Sequence, residues 1–307
     1  MLNGAQTIDK KALLNIHKFQ KGSWNNFQDI KLDLDDEQDA YMLECPNYLK
    51  IADKEFLIAC LEKQGNLESG SHFVQYRQVD IDQNFNIKFK TPLIKLDYDY
   101  DFYAPQIFNN LDNRKIMIGW LGNSQSNPLP SNLTTWSHQL SIPRELTFKN
   151  NQIHQLPIKE LENLRIEKLE SQNSIFKYEE GLCEIEAGNL NSDFEIVINN
   201  NQNESIKIYA KKSKLIVDRG LTSFQDEINL PTIVTIDNVE IKSIRILIDR
   251  SAMEIFVNDG QYAMSVRFYL DKHNQIFTNI NELEVYQLKG YSYQWNNIIF
   301  ENKLKEI

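Results

Sequence analysis

Cysteine is scarce and scattered: the 307 residues hold three, Cys45, Cys60 and Cys183, with no C-x-x-C pair. An odd, widely spaced set argues against a disulfide framework or a zinc site, and reduced thiols suit a cytoplasm. No window is apolar enough to cross a membrane, and the opening MLNGAQTIDKKALLNIHKFQ has no apolar stretch of the signal-peptide kind. Positive charge is also in deficit. Lys plus Arg number 33 against 43 Asp plus Glu, a net charge of −10. Such a chain is a poor partner for nucleic acid or an anionic membrane, which repel it. Several chemical signatures are missing too. There is no G-x-G-x-x-G, no G-x-x-x-x-G-K-[ST] and no G-x-S-x-G, which argues against nucleotide binding and a serine hydrolase. The five histidines form no H-x-x-x-H pair. No metal and no cofactor is expected.

What is present has a period of two. Residues 55–61 (EFLIACL), 115–121 (KIMIGWL), 193–198 (DFEIVI) and 205–210 (SIKIYA) are short apolar or alternating runs, bounded by Asn, Asp, Gly and Ser. They read as antiparallel strands of an all-β protein. The clearest hairpin joins 253–257 (MEIFV) to 261–269 (QYAMSVRFY) through Asn258-Asp259-Gly260. Helical signal is weak, and its best candidate is 157–165 (PIKELENLR), opened by a proline. It also makes the best boundary, with 1–156 before a linker helix at 157–168 and an Asn-rich β-sandwich pattern over 169–307. The strand pattern alone leaves propeller, sandwich and barrel open for the first part.

The remaining chemistry lies in carboxylates beside aromatic residues. Sugar sites combine aromatic platforms with acidic acceptors, and glycoside hydrolysis needs two carboxyl groups. In YMLECP, 41–46, a single Glu44 stands among apolar neighbours, where burial would raise its pKa and suit it to general-acid work. In DYDFYAPQ, 99–106, Asp101 and Tyr103 precede Trp120 of the run IGW. Each has a plainer reading. Glu44 fits the rim of a strand that Pro46 ends, Asp101 a turn cap, and Trp120 a core position.

These segments resemble family 32 glycoside hydrolases, the β-fructofuranosidase, invertase and sucrose-6-phosphate hydrolase group. Glu44-Cys45-Pro46 is similar to the family's ECP signature, 101–106 to its DFYAPQ run, and 118–120 to the following strand. Residues 141–146 (SIPREL) resemble its PREL run, 155–161 (QLPIKEL) its linker, and 247–260 (LIDRSAMEIFVNDG) a run of its C-terminal sandwich. Gly4-Ala5-Gln6 resembles a strand just after its arginine–aspartate–proline motif. Six or seven motifs in order make the match specific, where any one would be weak.

The resemblance implies part of a five-bladed β-propeller followed by a β-sandwich. It implies retaining cleavage of β-fructosides: sucrose, sucrose 6-phosphate or fructan. Glu44 takes the acid/base role, Asp101 and Tyr103 bind substrate, Trp120 forms an apolar wall and Trp136 belongs to the rim. Arg144 and Glu145 form a structural ion pair. The family's nucleophile is the Asp of a WMNDPNG motif, and neither that motif nor the arginine–aspartate–proline motif occurs in these 307 residues. The expectation is therefore a chain beginning in a middle blade, inactive alone and completed by the absent propeller segment. The alternative is a non-catalytic carbohydrate-binding or assembly protein that uses its sandwich.

Overall fold

A computed structural model describes residues 1–31, 40–63, 72–108, 111, 113–122, 137–190, 193–200, 202–222 and 231–290. Among them every element is a strand save one short 3-10 helix. The first sheet is β1 (Leu2–Gln6), β2 (Ala12–Gln20) and β3 (Ser23–Lys31), paired in that order. The second is β4 (Ala40–Ile51), β5 (Lys54–Lys63), β6 (His72–Ile81) and β7 (Ile87–Phe89), with β8 (Ile94–Lys95) also on β6. The third contains β9 (Phe102–Ile107), β10 (Ile116–Leu121), β11 (Gln139–Leu140), β12 (Arg144–Lys149) and β13 (Gln152–Pro157). These antiparallel sheets are the propeller portion, and their first strands lie side by side, β1 next to β4 and β4 next to β9.

β5 shows why the period-two signal vanishes where blades stack. Leu57, Ala59 and Leu61 pack toward the first sheet with Leu14, Ile16 and Leu43. Phe56, Ile58 and Cys60 pack toward the third with Phe102, Met117 and Leu121. A strand covered on both faces reads as one continuous apolar run. Gly4 permits the closest approach, since a Cβ there would stand 2.0 Å from the Leu43 carbonyl oxygen.

The chain then turns through the 3-10 helix, Lys159–Leu164. This is shorter than the expected linker helix over 157–168: Pro157 closes β13, and the last four residues form a strand. Six residues with few apolar side chains cannot nucleate a stable α-helix, and pairing with the sandwich sheet claims residues 165–168. The described residues of the second part form twelve strands. They run β14 (Arg165–Lys168), β15 (Ile175–Lys177), β16 (Leu182–Ala187), β17 (Phe194–Asn199), β18 (Ser205–Ala210) and β19 (Lys214–Leu221). Then come β20 (Ile233–Asp237), β21 (Ile244–Asp249), β22 (Ala252–Val257), β23 (Tyr262–Arg267), β24 (Gln275–Thr278) and β25 (Glu284–Leu288). Two six-stranded sheets result, ordered β14-β25-β16-β21-β22-β23 and β15-β24-β17-β18-β19-β20. Inward Ile196, Ile198, Ile208, Val217 and Ile276 of one meet Ile246, Met253, Ile255, Met264 and Val285 of the other. This is the β-sandwich.

The β22–β23 hairpin forms as its sequence dictates, with positive φ at Asn258, Asp259 and Gly260. Its tip leans on the last blade: the Gln155 N–H donates to the Gly260 carbonyl at 2.9 Å.

Candidate active site

The two strands that carry the predicted site share one device. In β4 the ladder to β5 slips between Glu44 and Asn47, and Cys45 has φ 46°. In β9 the ladder to β10 slips opposite residues 103 to 106, and Ala104 also has φ 46°. Each positive-φ residue is followed by proline, Pro46 or Pro105, whose missing N–H costs nothing at a bulge. Non-glycine residues in this region are strained and gather at functional sites. Pro46 does not end the strand, which runs on to Ile51. The bulges place the residue before each positive φ, Glu44 and Tyr103, toward one another. Asn47 ties them together. Its amide donates to the Cys45 carbonyl at 2.9 Å and to the Pro105 carbonyl at 2.8 Å, and accepts the Ile107 N–H at 3.2 Å.

At this junction the Tyr103 hydroxyl donates to the Glu44 carboxylate at 2.8 Å. Burial, then the neighbouring Cys60, then Glu44 itself push the Tyr103 phenol far above its ordinary range, so it stays a donor. Glu44 is half-buried rather than sealed among apolar side chains, so a substrate can reach it. Trp120 stands edge-on to Tyr103, ring centroids 6.4 Å apart, and is half-exposed. His138 packs on its far side at 4.9 Å. Two glycines make room: a Cβ at Gly119 would enter the Phe102 ring, and one at Gly122 would strike Trp120 and His138.

Sequence reasoning missed three neighbours. His138 looked like one more scattered histidine. Tyr41 donates to Glu62, and that bond, burial and the charges of Glu62 and Glu44 push the Tyr41 phenol up to about 12. Glu62 is thus a second carboxylate near Glu44, and its partner lies 21 residues away on the next strand. No local motif announces such a pair. Trp136 lies outside the described residues. Among those described, no group of three or more His, Cys, Asp or Glu could hold a metal ion.

Asp101 is not in the pocket. It is buried, and both carboxylate oxygens are occupied. Arg267 meets it at 2.7 Å and donates its backbone N–H at 2.8 Å, while Arg219 adds a contact at 3.1 Å. Asp99 pairs with Arg219 at 2.5 Å, and Asp97 with Arg144 at 3.0 Å. The alternating 97–101 segment is therefore a seam: three aspartates pinned to arginines, with Tyr98 edge-on to Tyr262 and Tyr100 under the same Arg219 guanidinium. A buried carboxylate requires such partners, and these leave no lone pair directed at a substrate. Arg144 and Glu145 also part company. Adjacent residues of a strand face opposite ways, so Arg144 goes inward to Glu254 and Asp97 while Glu145 pairs with Arg114 at the surface.

Glu44 and Tyr103 thus form an oriented carboxyl beside an aromatic wall, suited to passing a proton to an oxygen placed over Trp120. Comparison with known proteins bears on what that oxygen belongs to. Residues 1–157 match the glycosyl hydrolases family 32 N-terminal domain, and residues 123–298 match the glycosyl hydrolases family 32 C-terminal domain. A sucrose-6-phosphate hydrolase of Staphylococcus xylosus is 28% identical over 88% of this chain and 57% of its own length. One of Vibrio alginolyticus is 27% identical over 94% of the chain and 61% of its own. The chain thus spans little more than half the length of these relatives. Among solved structures, a sucrose-6-phosphate hydrolase of Lactobacillus gasseri superposes with TM-score 0.81 at 23% identity, covering 94% of this chain and 63% of that one. A Bombyx mori GH32 beta-fructofuranosidase gives TM-score 0.79 at 19% identity, covering 94% of this chain and 62% of that one.

Proposed function

The chain belongs to family 32 of the glycosyl hydrolases, and from that premise we propose that it supplies the acid/base half of a site that cleaves β-fructofuranosides with retention. The observation that carries this reading is the 2.8 Å hydrogen bond from Tyr103 to Glu44, with Trp120 against the same tyrosine. Glu44 donates its proton to the glycosidic oxygen as the sugar–oxygen bond breaks, then takes a proton from the water that releases fructose. Tyr103 fixes which carboxylate oxygen is free to do so. Trp120 offers an apolar face to a sugar ring. The names of the relatives favour sucrose or sucrose 6-phosphate as the substrate.

A retaining mechanism needs a second carboxylate as nucleophile, about 5–5.5 Å from the first. The WMNDPNG run that the resemblance associates with that role does not occur in these 307 residues. In this reading the nucleophile comes from a propeller segment outside them. The test is to produce the chain with a family 32 N-terminal segment bearing WMNDPNG and to follow glucose release from sucrose and glucose 6-phosphate release from sucrose 6-phosphate. Release by the pair and not by either piece supports the proposal. No release by the pair, or full release by the chain alone, overturns it.

A further inference from the structure

Two of the three cysteines lie together beneath Glu44. Across the β4–β5 ladder, Glu44 is the partner of Cys60. The bulge after Glu44 turns Cys45, at φ 46°, onto the face that Cys60 already occupies. Both side chains pack into one cluster with Phe56, Ile58, Phe102 and Tyr103. They lie close enough that each shifts the other's titration, Cys60 lowering the Cys45 thiol and Cys45 raising that of Cys60. Cys60 is sealed from solvent and Cys45 is partly exposed. Opposed residues of an antiparallel ladder have Cα atoms about 4.5–5.5 Å apart, within the roughly 4.4–6.8 Å that a disulfide spans. Cys45 is one residue along from that position, and its bulge removes the difference in facing. The third thiol, Cys183, is fully buried in the sandwich.

We propose that Cys45 and Cys60 form a peroxide-reactive dithiol that closes to a disulfide directly behind Glu44. The Cys45 thiolate attacks one oxygen of hydrogen peroxide, breaks the O–O bond and becomes a sulfenic acid, the other oxygen leaving as water. The Cys60 sulfur then attacks the Cys45 sulfur, and its proton leaves with the hydroxyl as a second water. Two thiols lose two electrons, and one peroxide becomes two waters. The roles follow from the setting. Cys45 is the thiol that peroxide can reach, and Cys60 beside it lowers the Cys45 thiol against burial and the Glu44 charge, which favours thiolate, the nucleophilic form. Burial keeps the Cys60 thiol protonated.

Closure shortens a thiol contact to about 2.05 Å. The slack must come from the bulge, because Cys60 is held in a packed strand. The bulge also carries Glu44, so its carboxylate is drawn away from Tyr103. This consequence rests on the acid/base reading of Glu44, whereas the cross-link does not.

The test uses the full chain. Native protein is exposed to hydrogen peroxide, quenched with catalase, denatured and titrated for thiols, then mapped by mass spectrometry. The titre is expected to fall from three thiols to one, with a peptide linking Cys45 to Cys60, an unmodified Cys183, and recovery of all three on dithiothreitol. Cys60→Ser is expected to stop at a dimedone-reactive sulfenic acid on Cys45. An unchanged titre of three, oxidation of Cys45 with Cys60 still free, or Cys183 reacting as fast as the pair overturns the proposal. In the reconstituted enzyme, peroxide should lower sucrose cleavage about a hundredfold, the scale of a misplacement near 1 Å, and dithiothreitol should restore it. Cross-linking without that loss overturns the coupling to Glu44. Absence of cleavage in the reduced enzyme counts against the fructosidase reading alone and leaves the thiol result as it stands.

Discussion

Tyr103 is held neutral by burial, so it can only donate to Glu44, and the 2.8 Å bond therefore orients the carboxylate. A hydrogen bond to a charged acceptor contributes about 1.5–3 kcal/mol. Tyr103→Phe should accordingly lower kcat of the reconstituted enzyme between roughly tenfold and a hundredfold, with KM nearly unchanged because the ring still faces Trp120. A rise in KM at constant kcat would instead make Tyr103 a substrate contact. Asp101→Asn should act on stability instead. It leaves Arg219 and Arg267 undercompensated, so urea denaturation should show a loss of about 3 kcal/mol while KM stays put. The contrast marks how far single residues were legible. Glu44, Tyr103 and Trp120 were readable because each sits in a short local run, and the structure brings them together. Asp101 sits in an equally suggestive run, but an acidic–aromatic alternation looks the same whether it faces a sugar or an arginine. Its partners Arg219 and Arg267 are more than a hundred residues away.

At the scale of elements, the strands were legible wherever their period was two and one face met solvent or a partner sheet. The alternation of residues 193–198 became β17 with Phe194, Ile196 and Ile198 inward. The bulges were not legible, since a slipped register leaves no trace in composition. Nor was the brevity of the linker helix, which depends on β25 being available to pair with β14. Two glycines separate backbone strain from crowding. Gly22 and Gly260 both have positive φ, 82° and 79°, but a Cβ at Gly22 meets nothing within 4 Å, while one at Gly260 stands 2.1 Å from the Gln155 carbonyl oxygen. Gly22→Ala should cost only the left-handed penalty of about 1–2 kcal/mol. Gly260→Ala should cost that and a further 1–3 kcal/mol or so for overpacking the blade contact. Equal losses on denaturation would mean that the hairpin tip does not bear on β13 in solution.

For the molecule as a whole, the seam between blades and sandwich is ionic as well as apolar. Arg144 is wholly buried between Asp97 and Glu254, with Ser265 and Gln155 completing its shell. Arg144→Met strands two buried carboxylates and should cost about 3–5 kcal/mol, read as a lower urea midpoint. The sandwich also contains a pH dependence. His273 is buried, donates to the Arg250 carbonyl at 2.6 Å and accepts from Tyr178. Burial lowers its pKa, with the Arg250 carbonyl opposing. The unfolded chain therefore binds a proton below about 6.5 that the native state refuses. The stability present above that pH is lost as pH falls. Melting temperature should drop from pH 7.5 to 5.5, and by less in His273→Gln; equal drops would remove His273 as the cause.

The central claim is that Glu44 is the proton donor of a fructoside-cleaving site, and leaving-group dependence in the reconstituted enzyme tests it most directly. Sucrose needs its departing oxygen protonated, whereas an activated aryl β-fructofuranoside does not. Glu44→Gln should lower sucrose cleavage by about 10²–10⁴-fold while the burst of phenol from the aryl substrate persists. Equal losses on both substrates, or none on sucrose, would contradict the assignment.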